Sequence, residues 1–508
     1  MKVLKLSLIL FLSLSSFTYC LGPLIKPISL YYFLANLFEP EAQNQESIFG
    51  QIDPSFGDGG YKIFDIPGVS PDIAESLVLK GDKILQGGYC NNPPGSIFCL
   101  VQYDISGNID SSFGSGGYVT FDIPGSTYEY NTSLALQGDK IIQSGECNSA
   151  GSKFCLVRYK ADGSLDTSFN FPLGYRIYDL PTSPSDNARA LAIQTNGYIL
   201  QGGYCTGGGT FFCLTRYHTY GSTDFSFNSL TGYQKPDIIP TNHDYANTLV
   251  LQSDGKILQG GYCKNTGATE PRRFCVMRYN SDGSIDNGFG SGGYVLYDIL
   301  VSDNDDANSL IVQSDGKMLQ GGTCTISGTN QFCIVRYNVD GSVDSTFGTN
   351  GYVIFDIPDS SDDQASAIAL QTNGKILQGG TCYIFTNKFC IVRYNADGSV
   401  DSTFGTNGYM FFDIPLPLNE QARAIALQTN GKILQGGTCD ISGTYQFCIV
   451  RYNVDGSIDS TFGTNGYFIY QVPGTTSNTL GRSIVIQSDG KILLGGTCDN
   501  KFCIVRIQ

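Results

Sequence analysis

The 508-residue chain is short of the residues on which much enzyme and nucleic-acid chemistry depends. It has two histidines, His218 and His243, and neither sits in a nucleophile motif, so a Ser-His-Asp or Cys-His arrangement finds no support. Basic residues are outnumbered, 31 Lys and Arg against 46 Asp and Glu, for a formal net charge of −15. Binding phosphates needs a basic surface that displaces counterions, and docking on anionic lipid needs the same sign, so both partners are disfavoured. A phosphate loop is also missing: Gly207-Gly208-Gly209 lies in a Cys-to-Cys hairpin, not between a strand and a helix.

Long apolar runs are lacking apart from Leu6 to Phe17, which follows Lys2 and Lys5 and precedes small or polar residues. That pattern reads as a secretory signal peptide over residues 1–20, with Thr18 and Cys20 at the small-residue positions before the cleavage point. Two alternatives stay open. The run is an uncleaved anchor, though it is short for a hydrocarbon core of ~30 Å, or Cys20 carries lipid, for which Phe17-Thr18-Tyr19 is a poor match. Residues 21–49 match nothing else in the chain and, with Glu39, Glu41 and Glu46, read as an acidic linker or strap. The localisation expected is secreted or extracytoplasmic, in the periplasm or on a cell surface, with no membrane span left after cleavage.

Glycine is plentiful, at 62 residues, and punctuates short segments rich in Ile, Val, Tyr and Phe, the balance of a turn-rich all-β chain. Of 17 cysteines, 16 fall in eight pairs: Cys90-Cys99, Cys147-Cys155, Cys205-Cys213, Cys263-Cys275, Cys324-Cys333, Cys382-Cys390, Cys439-Cys448 and Cys498-Cys503. An even set in a secreted chain reads as disulfides. Zinc is disfavoured, because structural sites need four ligands and these pairs have no close second pair.

The second cysteine recurs every 55 to 62 residues, marking eight copies over residues 50–508. In the copy around Ala365–Ile414 four strands are expected, Ser366–Gln371, Lys375–Cys382, Phe389–Tyr394 and Tyr409–Ile414. Asn373-Gly374 reads as a hairpin turn between the first two, and a long polar turn, Asn395–Gly408, precedes the fourth. Both strand faces are largely apolar, as in a sheet covered on each side. Four short strands per repeat of this length indicate a β-propeller.

The motifs Asp397-Gly398-Ser399-Val400-Asp401, Phe404-Gly405, Gly408-Tyr409, Asn373-Gly374-Lys375-Ile376-Leu377 and Val392-Arg393-Tyr394 resemble the delta-60 repeat over residues 50–508. The resemblance implies a β-propeller of bacterial secreted or surface proteins, with no established activity. The cysteine pairs depart from that family's pattern.

The chain enters the repeats on a fourth strand and its last copy stops after a third. The expected fold is therefore one eight-bladed propeller of four-stranded blades, with Tyr61–Ile66 completing the blade built from Ser483–Ile507. Seven blades with one repeat outside is a less economical alternative. By analogy with other propellers the Ala-Ile-Ala-Leu-Gln strand is innermost. The cysteine pairs then bridge second and third strands, and Cys498 and Cys503 fit directly opposed positions.

Three side-chain columns are candidates for chemistry. Asp72, Glu129, Asp186, Asp244, Asp305, Asp363 and Glu420 precede the inner strand, with Thr479 in the eighth copy, and would ring one mouth of the channel. Such a ring suits calcium or a cationic ligand; the competing explanation is an Asx-type bond to nearby backbone, one per repeat. Arg158, Arg216, Arg278, Arg336, Arg393, Arg451 and Arg506 are expected to pair across strands with Asp65, Asp122, Asp179, Asp237, Asp298, Asp356 and Asp413. Asn338–Asp344 superficially resembles a calcium loop but lacks the distal glutamate and suits an interblade turn. Irregularity concentrates at Phe171-Pro172-Leu173, Thr219-Tyr220, Lys235-Pro236 and Lys264–Arg273.

The function expected is that of a monomeric, disulfide-reinforced binding or scaffolding module for protein or glycan ligands, with no cofactor other than calcium under consideration. The rival is a hydrolase or lyase with acidic residues in the channel.

Overall fold

The computed structural model describes residues 50–238, 241–265, 271–299, 302–414, 419–476 and 478–508, and these form β-strands joined by turns. The segments expected as signal peptide and strap lie outside the described residues.

The sixth repeat shows the unit. Strands Asp363–Leu370, Ile376–Ile384, Thr386–Tyr394 and Tyr409–Phe412 pair in that order, all antiparallel. The middle two are buried on both faces along most of their length, which explains their continuous apolar sequence. At the first turn only Gly374 has a positive φ, whereas a two-residue I′ hairpin needs two such residues. Asn373 instead accepts the Lys375 N–H through Oδ1 at 3.1 Å.

Among the described residues eight such four-stranded units occur, the third and fourth joined in one sheet, with first strands starting at Asp72, Glu129, Asp186, Thr241, Asn304, Asp363, Asn419 and Thr479. Each first strand touches those of the sheets before and after it, and Thr479–Ile486 touches Asp72–Lys80. Elements nearest a common axis lie nearest one another, so the first strands are innermost. The eighth sheet takes its outer strand from the start of the repeats: Tyr61–Phe64 pairs with Lys501–Ile507, Tyr61 opposite Val505 and Phe64 opposite Phe502.

The third sheet departs from the pattern. Its outer strand is reduced to Tyr233–Gln234, because Pro236 has no N–H to continue the ladder. A parallel contact between Thr210 and His243 joins it to the fourth sheet. Outer strands elsewhere meet through aromatic pairs such as Phe355–Tyr409 and Phe412–Tyr467, with centroids 5.7 and 5.8 Å apart.

The expected Arg–Asp pairing is corrected. Six of the seven arginines bind the aspartate eight residues on, in the long turn, not one on the fourth strand, and Arg506 binds Asp53: Arg393 Nε reaches Asp401 at 2.6 Å and Arg336 Nε reaches Asp344 at 2.8 Å. The turn wins because Asp401 is already oriented there by the Thr403 N–H and hydroxyl, and Lys375 joins it at 2.5 Å. Arg393 Nη1 then donates to the Val454 carbonyl of the next turn, and its guanidinium lies 4.4 Å over Phe404. Gly456 must be glycine here. Its φ is +82°, and a Cβ would stand 2.6 Å from the Phe404 ring. Of the fourth-strand aspartates, Asp65, Asp179, Asp298 and Asp413 pair with Lys501, Lys153, Arg273 and Lys388. The supposed calcium loop is the same turn, with Asp340 accepting from the Ser342 N–H and Asp344 held by Arg336.

A buried relay ties neighbouring sheets. Tyr452 donates to Gln435 Oε1 at 3.0 Å, while Gln435 Nε2 donates to the Gly380 and Cys390 carbonyls of the sheet before at 3.1 and 2.9 Å. The eighth sheet has Leu494 and Ile507 in these places, an apolar solution to the same packing problem.

All eight disulfides form between second and third strands, with Cα–Cα distances of 5.6–5.9 Å. Cys498 and Cys503 are not directly opposed: Cys498 faces Lys501 and Cys503 faces Gly496, so the bridge is diagonal. The same offset recurs in the other sheets, and every bridged cysteine is fully buried.

Candidate functional site: the axial face of the ring

The expected acidic ring does not open onto solvent. Asp72, Glu129, Asp186, Asp244, Asp305, Asp363 and Glu420 are all fully buried, each opposite the first cysteine of its own sheet. Asp363 Oδ2 accepts the Ile357 N–H at 2.8 Å, Asp305 the Ile299 N–H at 3.2 Å, and Glu420 those of Phe389 and Ile414, both at 3.0 Å. Burial pushes Asp186 up to about 6, Asp72, Glu129, Asp305 and Asp363 to about 7, and Glu420 to about 8. Among the described residues no three His, Cys, Asp or Glu side chains gather as a metal would require. The column joins the fourth strand of one sheet to the first strand of the next.

What faces the axis is a different set. Every first strand carries a β-bulge at the same place, where one extra residue is pushed out of the ladder. These residues are Glu75, Thr132, Arg189, Asn247, Asn308, Ser366, Arg423 and Arg482. Bulges re-aim side chains and often flank functional sites. The short ones tie sheets together: Asn247 donates to Ala307 O at 2.9 Å, Asn308 to Ala365 O at 3.0 Å and Ser366 to Ala422 O at 2.8 Å. Arg189 and Arg423 are exposed, and Glu75 and Arg482 are half-buried.

The residue before the first cysteine divides the ring in two. In sheets five to eight it is Thr323, Thr381, Thr438 and Thr497, whose hydroxyls accept the N–H of Ala365, Ala422, Gly481 and Ala74 in the following sheet at 2.9–3.0 Å. In sheets one to four it is Tyr89, Glu146, Tyr204 and Tyr262. There, ring contacts cross two of the junctions, Tyr89–Tyr130 and Tyr204–Tyr245, 5.0 and 4.9 Å apart, and within the fourth sheet Tyr245 lies 4.9 Å from Tyr262. Arg189 stacks 5.2 Å over Tyr204 and donates to its hydroxyl at 2.9 Å. Arg272 lies 5.0 Å over Tyr262 and grips both oxygens of Asp306 at 2.7 Å.

A cavity of about 550 Å³ opens on this face, lined from four sheets by Tyr262, Asp306, Asn308, Gln364, Ser366 and Arg423. A second, of about 210 Å³, shares Gln364, Ser366 and Arg423 and adds Asp362 and Gln421. Aromatic faces beside amides, hydroxyls and charged forks can hold a polar ligand with flat apolar patches. None of these residues was singled out from sequence, although the change from Gly-Gly-Tyr-Cys to Gly-Gly-Thr-Cys was visible among the copies. Of the irregular segments, Phe171, Leu173 and Tyr220 are exposed on turns away from these cavities, and part of Lys264–Arg273 lies outside the described residues.

Fold and repeat together define a β-propeller repeat protein. Five segments, residues 139–169, 252–289, 313–347, 371–404 and 428–462, match the family described as "Domain of unknown function (DUF5122) beta-propeller". Each match to a sheet runs through its second and third strands into the long turn. No curated protein matches the chain. Among solved structures the chain is similar to Sqt1 of Chaetomium thermophilum, with 11% identity over 86% of this chain and 95% of that one and a TM-score of 0.44. It is also similar to a polysaccharide lyase titled PL25 ulvan lyase, with 11% identity over 78% and 96% and a TM-score of 0.40. A gluconolactonase of Xanthomonas campestris gives 12% identity over 71% and 91%, with a TM-score of 0.29.

Proposed function

We propose that this eight-bladed propeller, of delta-60 type, is a secreted binding module that takes a glycan on its axial face. One observation carries the reading: the inward row has exchanged its sheet-tying threonines for Tyr89, Tyr204 and Tyr262 on one side only, and Tyr262, where that side ends, lines a cavity of about 550 Å³. Structural repetition favours the same residue in every copy, so a row that varies on one side is under a different demand. Sugar rings present apolar faces to tyrosine and hydroxyls to amides and charged groups, which is the mixture found here. Eight disulfides indicate an oxidising, extracytoplasmic compartment, and among the described residues no helix is long and apolar enough to cross a membrane.

A glycan array on the folded protein, with a turnover assay on every hit, tests the reading. Retention without product, lost in Tyr245→Ala and Tyr262→Ala, is expected. An array with no hits, or hits untouched by both variants, removes the site.

The hydrolase or lyase reading keeps one supporting observation. Burial raises Glu75 and Glu146, both on the axial face, above the usual carboxylate range, as a general acid requires. Product formation abolished by Glu75→Gln or Glu146→Gln would replace the binding reading with this one.

A further inference from the structure

Building on the glycan-binding reading, we propose that the ligand carries an oxyanion, a carboxylate or sulfate on its sugar, received by Arg423 and Arg482. The two arginines occupy the same bulge position in the seventh and eighth sheets, which are neighbours in the ring. The first sheet, next round, places Glu75 at that position. Of the other residues of this arc, Gln421, Leu480, Ile73, Thr438 and Thr497 carry no charge, and Asp440 accepts the Gly443 N–H of its own hairpin at 2.7 Å. Two guanidiniums therefore share one carboxylate. Glu75 Oε1 is 3.8 Å from Arg482 Nη2, at the outer edge of an ion pair.

The donors of this pair are under-used. Arg482 Nε is buried without a hydrogen-bond partner. Arg423 Nη2 donates at 2.8 Å to Gln421 Oε1, a neutral acceptor. Burial, then the charge of Arg482, pulls Arg423 below the ordinary guanidinium range. Two like charges held close are relieved when an anion enters between them, and planar forks suit carboxylate or sulfate oxygens bidentately.

Other charges on this face are spoken for. Asp306 is held by Arg272, and Glu146 lies in the field of Arg189. Asp362, in the adjoining smaller cavity, accepts from Asn330 and Gln364. The positive arc thus stands in a chain whose net charge is −15, which favours a ligand that meets it locally over a polyanion that must cover the whole surface.

Calorimetry on the full chain tests this with three probes: oligogalacturonate for carboxylate, dextran sulfate for sulfate, and neutral dextran. Binding of one or both charged probes at least about tenfold tighter than neutral dextran is expected. Arg423→Gln and Arg482→Gln should each erase most of that margin at unchanged melting temperature, with Arg482→Lys intermediate because it keeps charge but loses the fork. Neutral dextran bound as tightly as both charged probes, or glutamine variants that bind them like wild type, overturns the oxyanion while leaving the glycan reading standing. If no glycan, charged or neutral, is retained on the array or in solution, both readings fall.

Discussion

Arg506 donates through Nε to Asp53 at 2.9 Å, across 453 residues of sequence. In the other arginine-bearing sheets the same bond is local, from an arginine to the aspartate eight residues later. Only in the eighth must the aspartate come from the opposite end of the repeats, as does the outer strand beside it. Lys491 also reaches Asp53 at 2.9 Å, and Arg506 Nη1 donates to the Ile105 carbonyl.

Removing that aspartate should therefore open the ring. Asp53→Ala leaves the buried Arg506 guanidinium without its carboxylate and is expected to cost about 3–5 kcal/mol. Asp58→Ala, which breaks the exposed pair with Lys62, should cost under about 1 kcal/mol. Denaturant melts of the two variants check this; equal losses would show that the clasp adds nothing to ring closure.

The Gln–Tyr relay predicts non-additivity. Gln435→Leu strands the Tyr452 hydroxyl in a fully buried place and should cost about 1–3 kcal/mol. Adding Tyr452→Phe, which imitates the Leu494 and Ile507 arrangement of the eighth sheet, should recover part of that loss. A double variant as weak as the sum of the two singles would show that the two groups act independently.

Stability should peak in mildly acidic solution. The buried column has folded pKa values raised to about 6–8, so its contribution is fully present below the unfolded value of about 4 and is lost as pH rises through 6 to 8. The turn aspartates run the other way. Hydrogen bonds from serine and lysine bring Asp53, against its burial, to about 2, and Asp166, Asp344 and Asp401 are likewise lowered. Their contribution is present above about 4 and lost as pH falls towards 2. Melting temperature should be highest near pH 5, and Asp363→Asn should flatten the alkaline limb. A melting temperature that climbs steadily from pH 5 to 8 contradicts the assignment.

Each disulfide closes a short loop, so its loss should be modest. Cys498→Ser with Cys503→Ser, five residues apart, should cost about 2 kcal/mol by loop-closure entropy. Limited proteolysis should then cut first near the 498–503 hairpin, and an unchanged cleavage map would assign the bridge no part in resisting local opening.

Fold and staples were legible because they repeat. Strand alternation, the Gly-bearing turns and the cysteine pairs recur in register, and repetition averages away local noise. The arginine partner was misread for a physical reason: adjacency of third and fourth strands suggested Asp413, yet Asp401 sits in a turn whose Thr403 bonds already aim its carboxylate at Arg393. For the acidic column the structure shows the competing arrangement, a bond to nearby backbone, as between Asp363 and the Ile357 N–H. Nothing in the spacing of Asp363 says whether its side chain enters the sheet junction or leaves it, and a bulge two to three residues later reverses the alternation that would have decided it.

By itself the sequence determined an all-β chain of eight repeats, its pairing of cysteines and its acidic, oxidising-compartment character, since periodicity, pairing and charge are properties of residue order. Which residues face the axis was decided only in three dimensions. The bulge exposes Glu75, Arg189, Arg423 and Arg482 to the axis, and ring closure brings arginines 59 positions apart onto one arc around a shared carboxylate. A binding surface built from one residue per sheet exists only once the sheets stand in a circle.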